Sequence, residues 1–309
     1  MGGAFVAVAD DSSATWWNPA GLAAGPFLDL ALGRAVTDAA EGIPARRDGV
    51  GWFALATPPV GVAYYRLRLI DIQPFDPTTG NGDVSREDRR AGVPVRALSA
   101  SQLGVTLVHS IFSGFHAGTT VKYVRGTLRG GREDGLARPS DLLDLGEEFE
   151  GGDAQSRLDL DVGLLGVAGP FRVGGVVRNL LQPEFDGEAF GGSPGPTLRL
   201  PRQVRIGAAF DPEDVTGVPL TLALDADVRA YPTGSGDRRV VAIGGEQWLA
   251  SRRVGVRAGA RFNTTGARDR SATAGVSVSP RAGMYLDGHV VRGGSVDDRG
   301  WGVVARISF

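Results

Sequence analysis

The chain has 309 residues, with 33 Lys or Arg against 35 Asp or Glu and a formal net charge of −2. This balance leaves no basic surface of the kind that binds nucleic acid, so that function is not indicated. Cysteine is absent, which excludes a disulfide framework and a thiolate metal site. No apolar stretch reaches the roughly 20 residues that a membrane-spanning helix requires, although glycine is plentiful at 47 residues.

The first 25 residues lack the alternation of a membrane-spanning strand. Small residues dominate them, and their polar cluster is typical of a turn or a helix cap: Asp10, Asp11, Ser12 and Ser13. The Asn18–Pro19 pair interrupts regular structure, because the residue before a proline avoids the helical region. Residues 1–25 are therefore expected to form a unit separate from the strands that follow.

From residue 26 onward the chain contains fourteen short runs in which apolar and polar residues alternate. Most are about 9–13 residues long, the length of a β-strand tilted across a bilayer. In chain order they are DLALGRAV, GVGWFALATP, GVAYYRLRLI, LSASQLGVTLVHS, FHAGTTVKYVRG, SRLDLDVGLLGVA, FRVGGVVRNL, LRLPRQVRIGAAF, PLTLALDADVRAY, VVAIGGEQWLA, RRVGVRAGARF, RSATAGVSVS, MYLDGHVVR and WGVVARISF. The pattern predicts an all-β fold, a 14-stranded antiparallel transmembrane β-barrel.

Four of these runs show clearly which face contacts lipid. Their apolar faces comprise Val204, Ile206, Ala208 and Phe210; Leu220, Leu222, Leu224, Ala226 and Val228; Val254, Val256, Ala258, Ala260 and Phe262; and Trp301, Val303, Ala305, Ile307 and Phe309. The charged members of the opposite faces are Arg205, Asp225, Asp227, Arg229, Arg253, Arg257, Arg261 and Arg306. A lipid-facing arginine near the bilayer midplane costs roughly 2–4 kcal/mol. We therefore expect the charged faces to line the lumen.

The connections between the runs alternate between tight turns and longer polar segments. The longest, residues 73–96 and 128–155, are rich in Asp, Glu, Arg and Gly and are expected to be solvated loops. Short periplasmic turns alternating with long external loops are the rule in such barrels, and an even strand number places both chain ends on the periplasmic side. Residues 1–25 are then expected to enter the lumen from that side, as a plug in a barrel of residues 26–309.

The alternative is a soluble all-β sandwich or propeller with polar surface faces. The low aromatic content of 7% favours it, since membrane barrels usually carry aromatic girdles. Against it, a soluble protein does not normally present so many apolar faces outward.

The amino-terminal residues also carry a family resemblance. GGAFVAVADD (2–11) followed by WWNPAGLA (16–23) resembles the amino-terminal signature of the FadL-type long-chain fatty acid transporters, most closely that of their shorter relatives, the PorV/PorQ-like barrels. The resemblance implies a monomeric 14-stranded barrel with a luminal amino-terminal plug, in which Asn18, Pro19 and Ala20 match the plug motif.

The same resemblance implies movement of hydrophobic molecules across the outer membrane, through the lumen and sideways through the wall, when the plug moves. The ligand-contacting residues of the fatty acid transporters do not align with this shorter chain, so the resemblance does not by itself assign fatty acid specificity. The PorV-like relatives serve instead as accessory barrels in protein secretion, which implies a scaffold function as the alternative.

Two groups of residues are candidates for the functional site. The plug and gate group comprises Asp10, Asp11, Trp16, Trp17, Asn18, Pro19 and Ala20, where the two tryptophans either gate the pore or pack the plug against the wall. The luminal group comprises Arg253, Arg257 and Arg261, which with Asp225, Asp227, Asp159 and Asp161 either bind an anionic head group or neutralise one another in the lumen.

Metal binding and catalysis are not expected. His109, His116 and His289 lie in separate runs with no carboxylate at ligand spacing, and a metal site needs three or four convergent ligands. Ser110 follows His109 directly, so in a strand their side chains point to opposite faces.

The sequence therefore predicts a monomeric, non-enzymatic channel in a Gram-negative outer membrane that takes up hydrophobic, fatty-acid-like molecules passively. We expect no cofactor and no nucleic-acid partner. The expected partners are outer-membrane lipid and a hydrophobic ligand, or a secretion partner protein if the chain is an accessory barrel. No signal peptide is present, and export requires one, so we expect it upstream of Met1.

Overall fold

The computed structural model describes residues 1–39, 42–73, 92–149, 151–187, 197–233, 236–266, 269–294 and 298–309. Its strands are β1 (Asp29–Ala39), β2 (Ala45–Thr57), β3 (Val60–Ile72), β4 (Val93–Phe112), β5 (Phe115–Glu133), β6 (Gln155–Ala168), β7 (Phe171–Arg178), β8 (Glu184–Asp186), β9 (Thr197–Arg199), β10 (Gln203–Phe210), β11 (Leu220–Asp227), β12 (Tyr231–Thr233), β13 (Gly236–Arg238), β14 (Val240–Leu249), β15 (Val254–Asn263), β16 (Arg270–Arg281), β17 (Met284–Arg292) and β18 (Arg299–Ser308). Its helices are α1 (Ala14–Trp17), a 3-10 helix (Pro19–Ala24), α2 (Pro139–Glu147) and α3 (Glu213–Thr216). None of the helices in these ranges is long and apolar enough to cross a bilayer.

Fourteen of the strands form one closed barrel, in which each strand pairs antiparallel with the next along the chain and β18 returns to β1. The other four strands form two small hairpins, β8 with β9 and β12 with β13. Each of the fourteen runs predicted from the sequence overlaps one barrel strand. The predicted 14-stranded antiparallel barrel is therefore confirmed.

The predicted assignment of the strand faces is confirmed within the strands, but Arg229 and Arg253, also predicted to line the lumen, lie just outside β11 and β15 and are exposed. Ile206 and Leu224, predicted to face lipid, are 54% and 49% exposed, whereas the neighbouring Asp225 is 1% exposed. Trp301 on the last strand is likewise exposed, and Gly302 beside it is buried. Because charged residues alternate with apolar ones along these strands, the cost of placing a charge in hydrocarbon fixes which face points inward.

The two ends of the barrel differ in the length of their connections. At one end, here called the turn end, β2 joins β3 through Pro58–Pro59 and β6 joins β7 through Gly169–Pro170. The chain enters β1 and leaves β18 at this end, since Asp29 pairs with Ser308. The opposite end, here called the loop end, carries the longer connections, such as residues 134–154 between β5 and β6.

Two rows of outward-facing residues mark where the wall of β1–β6 leaves the bilayer. The tyrosine row, in which each residue pairs with the next across adjacent strands, is Leu32, Phe53, Tyr64, Leu103, Tyr123 and Leu158. The arginine row lies two residues nearer the loop end and is Arg34, Gly51, Arg66, Ser101, Arg125 and Ser156. Arginine costs ≈ 0–1 kcal/mol at the membrane interface but roughly 2–4 kcal/mol at the midplane. The membrane surface on this side of the barrel therefore lies near these two rows.

The prediction of solvated loops over 73–96 and 128–155 is wrong in part: residues 134–138 and 151–154 are largely exposed and irregular, but strands and a helix occupy much of the rest. Residues 74–91 and 150 lie outside the described residues. β4 already begins at Val93 and β5 continues to Glu133. Helix α2 then packs against the outer wall, where Leu142 and Leu143 are fully buried against side chains that include Ile70 and Val95. The physical reason is that the wall stays apolar above the arginine row and needs a cover outside the membrane.

Polar contacts hold α2 in that position. The guanidinium of Arg68 donates to the carbonyl oxygens of Gly146 at 3.2 Å, of Phe149 at 3.1 Å and of Glu147. These carbonyls belong to the carboxyl end of the helix, where cations are favourable. Arg47 donates to Asp144 at 2.7 Å on the exposed side.

The β8–β9 hairpin contributes apolar side chains to a cluster on the inner wall of β2–β5 near the loop end. Phe185 and Leu198 are buried there with side chains that include Tyr65 and Leu128. A Cβ atom on Gly126 of β5 would lie 2.7 Å from the Phe185 ring, so this strand has no room for a larger residue. One side of the lumen is therefore filled with apolar side chains.

Candidate functional site

The segment before β1, residues 1–25, lies against the inner wall of the barrel. The backbone N–H groups of Phe5 and Val6 donate to Asp225 Oδ2 at 2.8 and 3.0 Å. The backbone N–H of Gly2 donates to Thr273 Oγ1 at 2.8 Å. Asp225, a predicted ligand-binding residue, therefore binds the segment itself.

Asn18 is the central contact of this segment. Its Nδ2 group donates to the carbonyl oxygen of Val6 at 2.8 Å and to that of Leu164 on β6 at 3.0 Å. Its Oδ1 accepts the N–H of Ala20 at 3.2 Å and so caps the 3-10 helix, with Pro19 at the first helical position. Asparagine and proline suit these cap positions. Asn18 of the WWNPAG motif thus caps the 3-10 helix, connects it to Val6 within the segment, and connects the segment to β6 of the wall.

Ion pairs fix the segment near the turn end. Asp10 pairs with Arg172 of β7 at 3.0 Å, and Asp11 pairs with Arg306 of β18. The backbone N–H of Ser12 donates to the buried carboxylate of Asp29 at 2.9 Å. The two acidic residues therefore connect the segment to strands far apart on the barrel circumference.

The tryptophan pair packs against aromatic neighbours. Trp16 lies against Tyr65, with ring centroids 4.9 Å apart, and Trp17 stacks on Phe5 at 5.2 Å. The guanidinium of Arg178 lies over both indole rings, at 5.2 Å from Trp16 and 5.8 Å from Trp17. Such cation–π contacts contribute about 0.5–2 kcal/mol each.

Glycines on the inner wall allow this close approach. Three pairs face each other across adjacent strands: Gly118 with Gly163, Gly174 with Gly207, and Gly244 with Gly259. A Cβ atom added to any of these glycines would come within 3.0 Å of the amino-terminal segment, and at Gly174 it would lie 2.7 Å from the Val6 carbonyl oxygen. We call these three pairs the glycine seat.

Replacing Gly174 with alanine is expected to displace residues 1–25 from the wall, because the added methyl group meets the Val6 backbone. We expect faster proteolysis of the segment and a higher permeability of the reconstituted barrel. Gly175→Ala is the matched control, because a Cβ there meets nothing within 4 Å. Equal proteolysis of the two variants would show that the seat does not hold the segment.

Two cavities lie on opposite sides of the segment. The loop-end chamber, as we call the larger one, measures about 370 Å³ and is bounded by Gly2, Gly3, Trp16 and Trp17. The smaller cavity, about 160 Å³ at the turn end, is bounded by residues that include Phe5 and Asp10. No lining residue is shared between them, so the segment separates the two spaces.

The loop-end chamber has one apolar side and one cationic side. The apolar side includes Val50, Leu67 and Leu200. On the other side, Arg178 and Arg261 make no ion pair with any residue in the described ranges: Arg178 donates to Gln203, its Nε is buried without a partner, and Arg261 donates to Ser271. The chamber therefore suits a molecule with an apolar body and an anionic or strongly accepting group.

The structure does not bring the predicted arginine trio together. Arg253 lies in the exposed turn before β15 and donates to the Pro280 carbonyl oxygen. Arg257 faces the turn-end cavity and pairs with Glu246 and with Asp287. Arg261 alone of the three lines the loop-end chamber.

Asp227 is also occupied within the wall. It pairs with Arg205 at 2.7 Å and accepts the backbone N–H of Val240 at 2.8 Å.

The sequence analysis did not identify Arg178 as a candidate site residue. The run VVRNL does not indicate that its arginine lies over the two tryptophan rings, because that contact depends on the fold. No cluster of three or more metal-binding side chains occurs among the residues that the structure describes.

A second buried cluster closes the wall where β7 ends. The β6–β7 pairing stops at Val162 with Val177, although β6 itself starts at Gln155. There Lys122, the only lysine of the chain, lies 2.7 Å from both Asp159 and Asp161. The two carboxylates also accept backbone N–H groups, from Leu181 and Asn179 respectively.

Solved structures share this fold over nearly their whole length. The CymD monoaromatic hydrocarbon channel is 10% identical with a TM-score of 0.62, covering 98% of this chain and 94% of that chain. The Pseudomonas putida toluene transporter TodX is 14% identical with a TM-score of 0.55, covering 100% and 97%. A Pseudomonas aeruginosa FadL homologue is 12% identical with a TM-score of 0.59, covering 99% and 96%. No curated protein sequence matches the chain significantly.

The fold is thus that of the FadL-type transmembrane β-barrels, as the amino-terminal motif predicted. The sequence pattern of one family matches residues 42–227, more than half of the chain. The chain belongs to that family, which is described as F plasmid transfer operon, TraF, protein.

Proposed function

We propose that this protein is an outer-membrane channel for the passive uptake of hydrophobic small molecules, closed at rest by residues 1–25 acting as a plug. The observation that carries the proposal is the loop-end chamber, a space of about 370 Å³ directly above the segment that divides the lumen. The exposed apolar faces of the strands support a bilayer location. Two proteins of similar fold, a monoaromatic hydrocarbon channel and a toluene transporter, support the same class of substrate.

In this proposal the plug consists of the residues that hold the segment in place. Asp10 and Asp11 fasten it through their ion pairs, and Asn18, Pro19 and Ala20 form the capped turn against β6. Trp16 and Trp17 form the floor of the chamber. A ligand that enters from the loop end meets this floor first, and plug movement is needed before it can pass.

We further propose that the ligand is fatty-acid-like, with an anionic group directed to Arg178 and Arg261. Of the predicted trio only Arg261 is kept, and Arg178 takes the place of Arg253 and Arg257, because these two guanidiniums line the chamber without an ion pair to any described residue. Guanidinium groups bind carboxylates through paired hydrogen bonds, and the apolar side of the chamber accommodates the hydrocarbon part.

Arg178→Gln is expected to weaken binding of a fluorescent fatty acid by about tenfold to 100-fold, because a hydrogen bond to a charged group contributes about 1.5–3 kcal/mol. Binding of toluene, which carries no charge, should change much less. A fluorescence titration of the detergent-folded protein, with toluene as competitor, measures both. Equal loss for the two ligands would mean that Arg178 acts only by packing on the tryptophans.

The channel itself is tested by mass spectrometry of small molecules extracted from the purified barrel, alongside the same titration. Stoichiometric apolar ligand that the fluorescent fatty acid displaces is the expected result. An empty lumen without saturable binding would contradict the channel.

A second candidate function is that of an accessory or scaffold barrel which binds a protein partner at its loop end. The ordered helix α2 favours it, since its outer side presents Asp144, Leu145 and Glu147 to solvent. The name of the family, a transfer operon protein, is compatible with such an assembly role. Two results together would favour this function: the lumen contains no ligand, and a partner protein no longer binds when Asp144, Leu145 and Glu147 are substituted.

A further inference from the structure

The arginine row places several positive charges side by side on the lipid-facing wall. Arg34, Arg66 and Arg125 occupy alternate positions of the row, separated by the small residues Gly51 and Ser101. Adjacent strands lie about 4.8 Å apart, so consecutive arginines are about 10 Å apart. All three are exposed, and none pairs with a carboxylate in the described part of the chain.

Two more outward-facing arginines continue this charge on the neighbouring strands. Arg292 of β17 lies directly opposite Arg299 of β18, and both are exposed. Like charges in direct opposition destabilise a sheet. Arg299 is in register with Asp38 of β1, but that carboxylate already accepts two hydrogen bonds from Arg47, at 2.7 and 2.8 Å. The arrangement therefore has a surplus of positive charge with no protein partner in the described ranges.

The tyrosine row lies on the hydrocarbon side of these arginines along each strand. The hydroxyl of Tyr64 donates to Ser101 at 3.1 Å, and that of Tyr123 shares a hydrogen bond with Ser156 at 2.6 Å. Tyrosine rings of this kind lie at the level of the lipid head groups, with the ring toward the hydrocarbon. The arginines, about 7 Å farther along each strand, are therefore at head-group depth on the loop-end side.

In the described part of the chain, the lipid-facing strands carry no row of charges at the turn end, where Arg281, opposite Met284, is a single arginine. The outward residues nearest that end are apolar or aromatic, including Leu107, Phe171, Met284 and Ile307. Arg253 lies in a turn rather than in a strand, and Arg281 is the last residue of β16. The two leaflets around the barrel thus meet surfaces of different charge.

We propose that Arg34, Arg66, Arg125, Arg292 and Arg299 form a binding surface for the phosphate groups of an anionic lipid in the leaflet at the loop end. Guanidinium groups bind phosphate oxygens through paired hydrogen bonds, and their spacing along the row lets neighbouring arginines contact separate phosphates. A lipid that carries two phosphates on one head group fits this spacing best. Such binding neutralises the surplus charge and holds the barrel at a fixed depth.

The test compares lipid selection by the full chain in vesicles of phosphatidylcholine containing a small fraction of diphosphorylated lipid A, of its monophosphorylated form, or of phosphatidylglycerol. Native mass spectrometry of the extracted protein counts the retained lipid. We expect the wild-type chain to retain diphosphorylated lipid A most strongly. A triple variant, Arg34→Gln with Arg66→Gln and Arg125→Gln, should lose at least tenfold of that retention, since each basic residue near an anionic surface contributes about fivefold.

The control is the double variant Arg253→Gln with Arg281→Gln, which removes arginines from the turn end and should retain lipid like the wild type. Retention of the triple variant at the wild-type level would overturn the proposal, as would an equal loss in the control. If phosphatidylglycerol is retained as strongly as diphosphorylated lipid A, the proposed preference for a lipid with two phosphates on one head group is wrong. Added inorganic phosphate should compete only weakly, because a free ion spans one arginine site. A boiling-dependent shift in gel mobility checks that each variant folds.

Discussion

A chain lacking residues 2–22 is expected to conduct small solutes roughly tenfold faster or more than the full chain after reconstitution, since an unplugged barrel of this size leaves an aqueous channel. Removal of the segment joins the chamber of about 370 Å³ to the turn-end cavity of about 160 Å³. The glycine seat would then border the open lumen, because glycine has no side chain that could occupy the space left by the segment. The measurement is solute flux into liposomes, with a neutral sugar and a hydrophobic dye as probes.

The matched control for this deletion restores the plug from outside. A synthetic peptide of residues 2–22 should bind the truncated barrel and lower the flux again, because Asp225, Arg172 and Arg306 remain in place to receive it. Unchanged flux after the deletion would show that residues 1–25 do not close the channel. Increased flux that the peptide does not reverse would point instead to a damaged barrel.

Lys122→Met is expected to cause the largest loss of stability of any single substitution in the wall, about 3–5 kcal/mol. The ammonium group lies 2.7 Å from Asp159 and 2.7 Å from Asp161, and all three side chains are at most 7% exposed. Without the lysine, two buried carboxylates face each other with no cation between them. Their hydrogen bonds to the backbone of Asn179 and Leu181 would weaken as well, which loosens the wall where β7 ends.

Urea unfolding of the detergent-folded protein, followed by the gel shift on boiling, measures this effect. Lys122→Arg keeps the charge and should retain much of the stability. The triple variant Lys122→Met with Asp159→Asn and Asp161→Asn should recover part of the loss, because it removes the uncompensated charges. A single variant as stable as the wild type would show that the cluster does not stabilise the wall.

The strand number and the lipid-facing sides were predictable because one rule governs both. A charge such as Asp225 or Arg205 costs too much in hydrocarbon, so alternating residues reveal the inward face without any knowledge of the partner strand. Helix α2 could not be predicted in this way. Its apolar pair, Leu142 and Leu143, is short, lies among acidic residues and depends on a patch of outer wall formed by β3 and β4.

The candidate site was predictable only in part, because contacts inside the lumen depend on register. The motif around Asn18 was evident from the sequence, but its partner Leu164 is 146 residues away. Arg253 was assigned to the lumen by its alternation with Arg257, yet β15 begins one residue later, at Val254, and leaves Arg253 in the turn. The roles of Asp10, Asp11, Trp16 and Trp17 as a gate stay a prediction that the deletion tests.

The glycine seat has a consequence for how the molecule assembles. Its glycines come from strands spread over the chain from β5 to β15, and the segment that occupies it also pairs with Arg306 on β18, 295 residues from Asp11. The complete set of these contacts cannot form until the sheet has closed, and contacts this distant in sequence form slowly. The residues that precede β1 are therefore the last to reach their final place, so an incompletely folded barrel is also an open one.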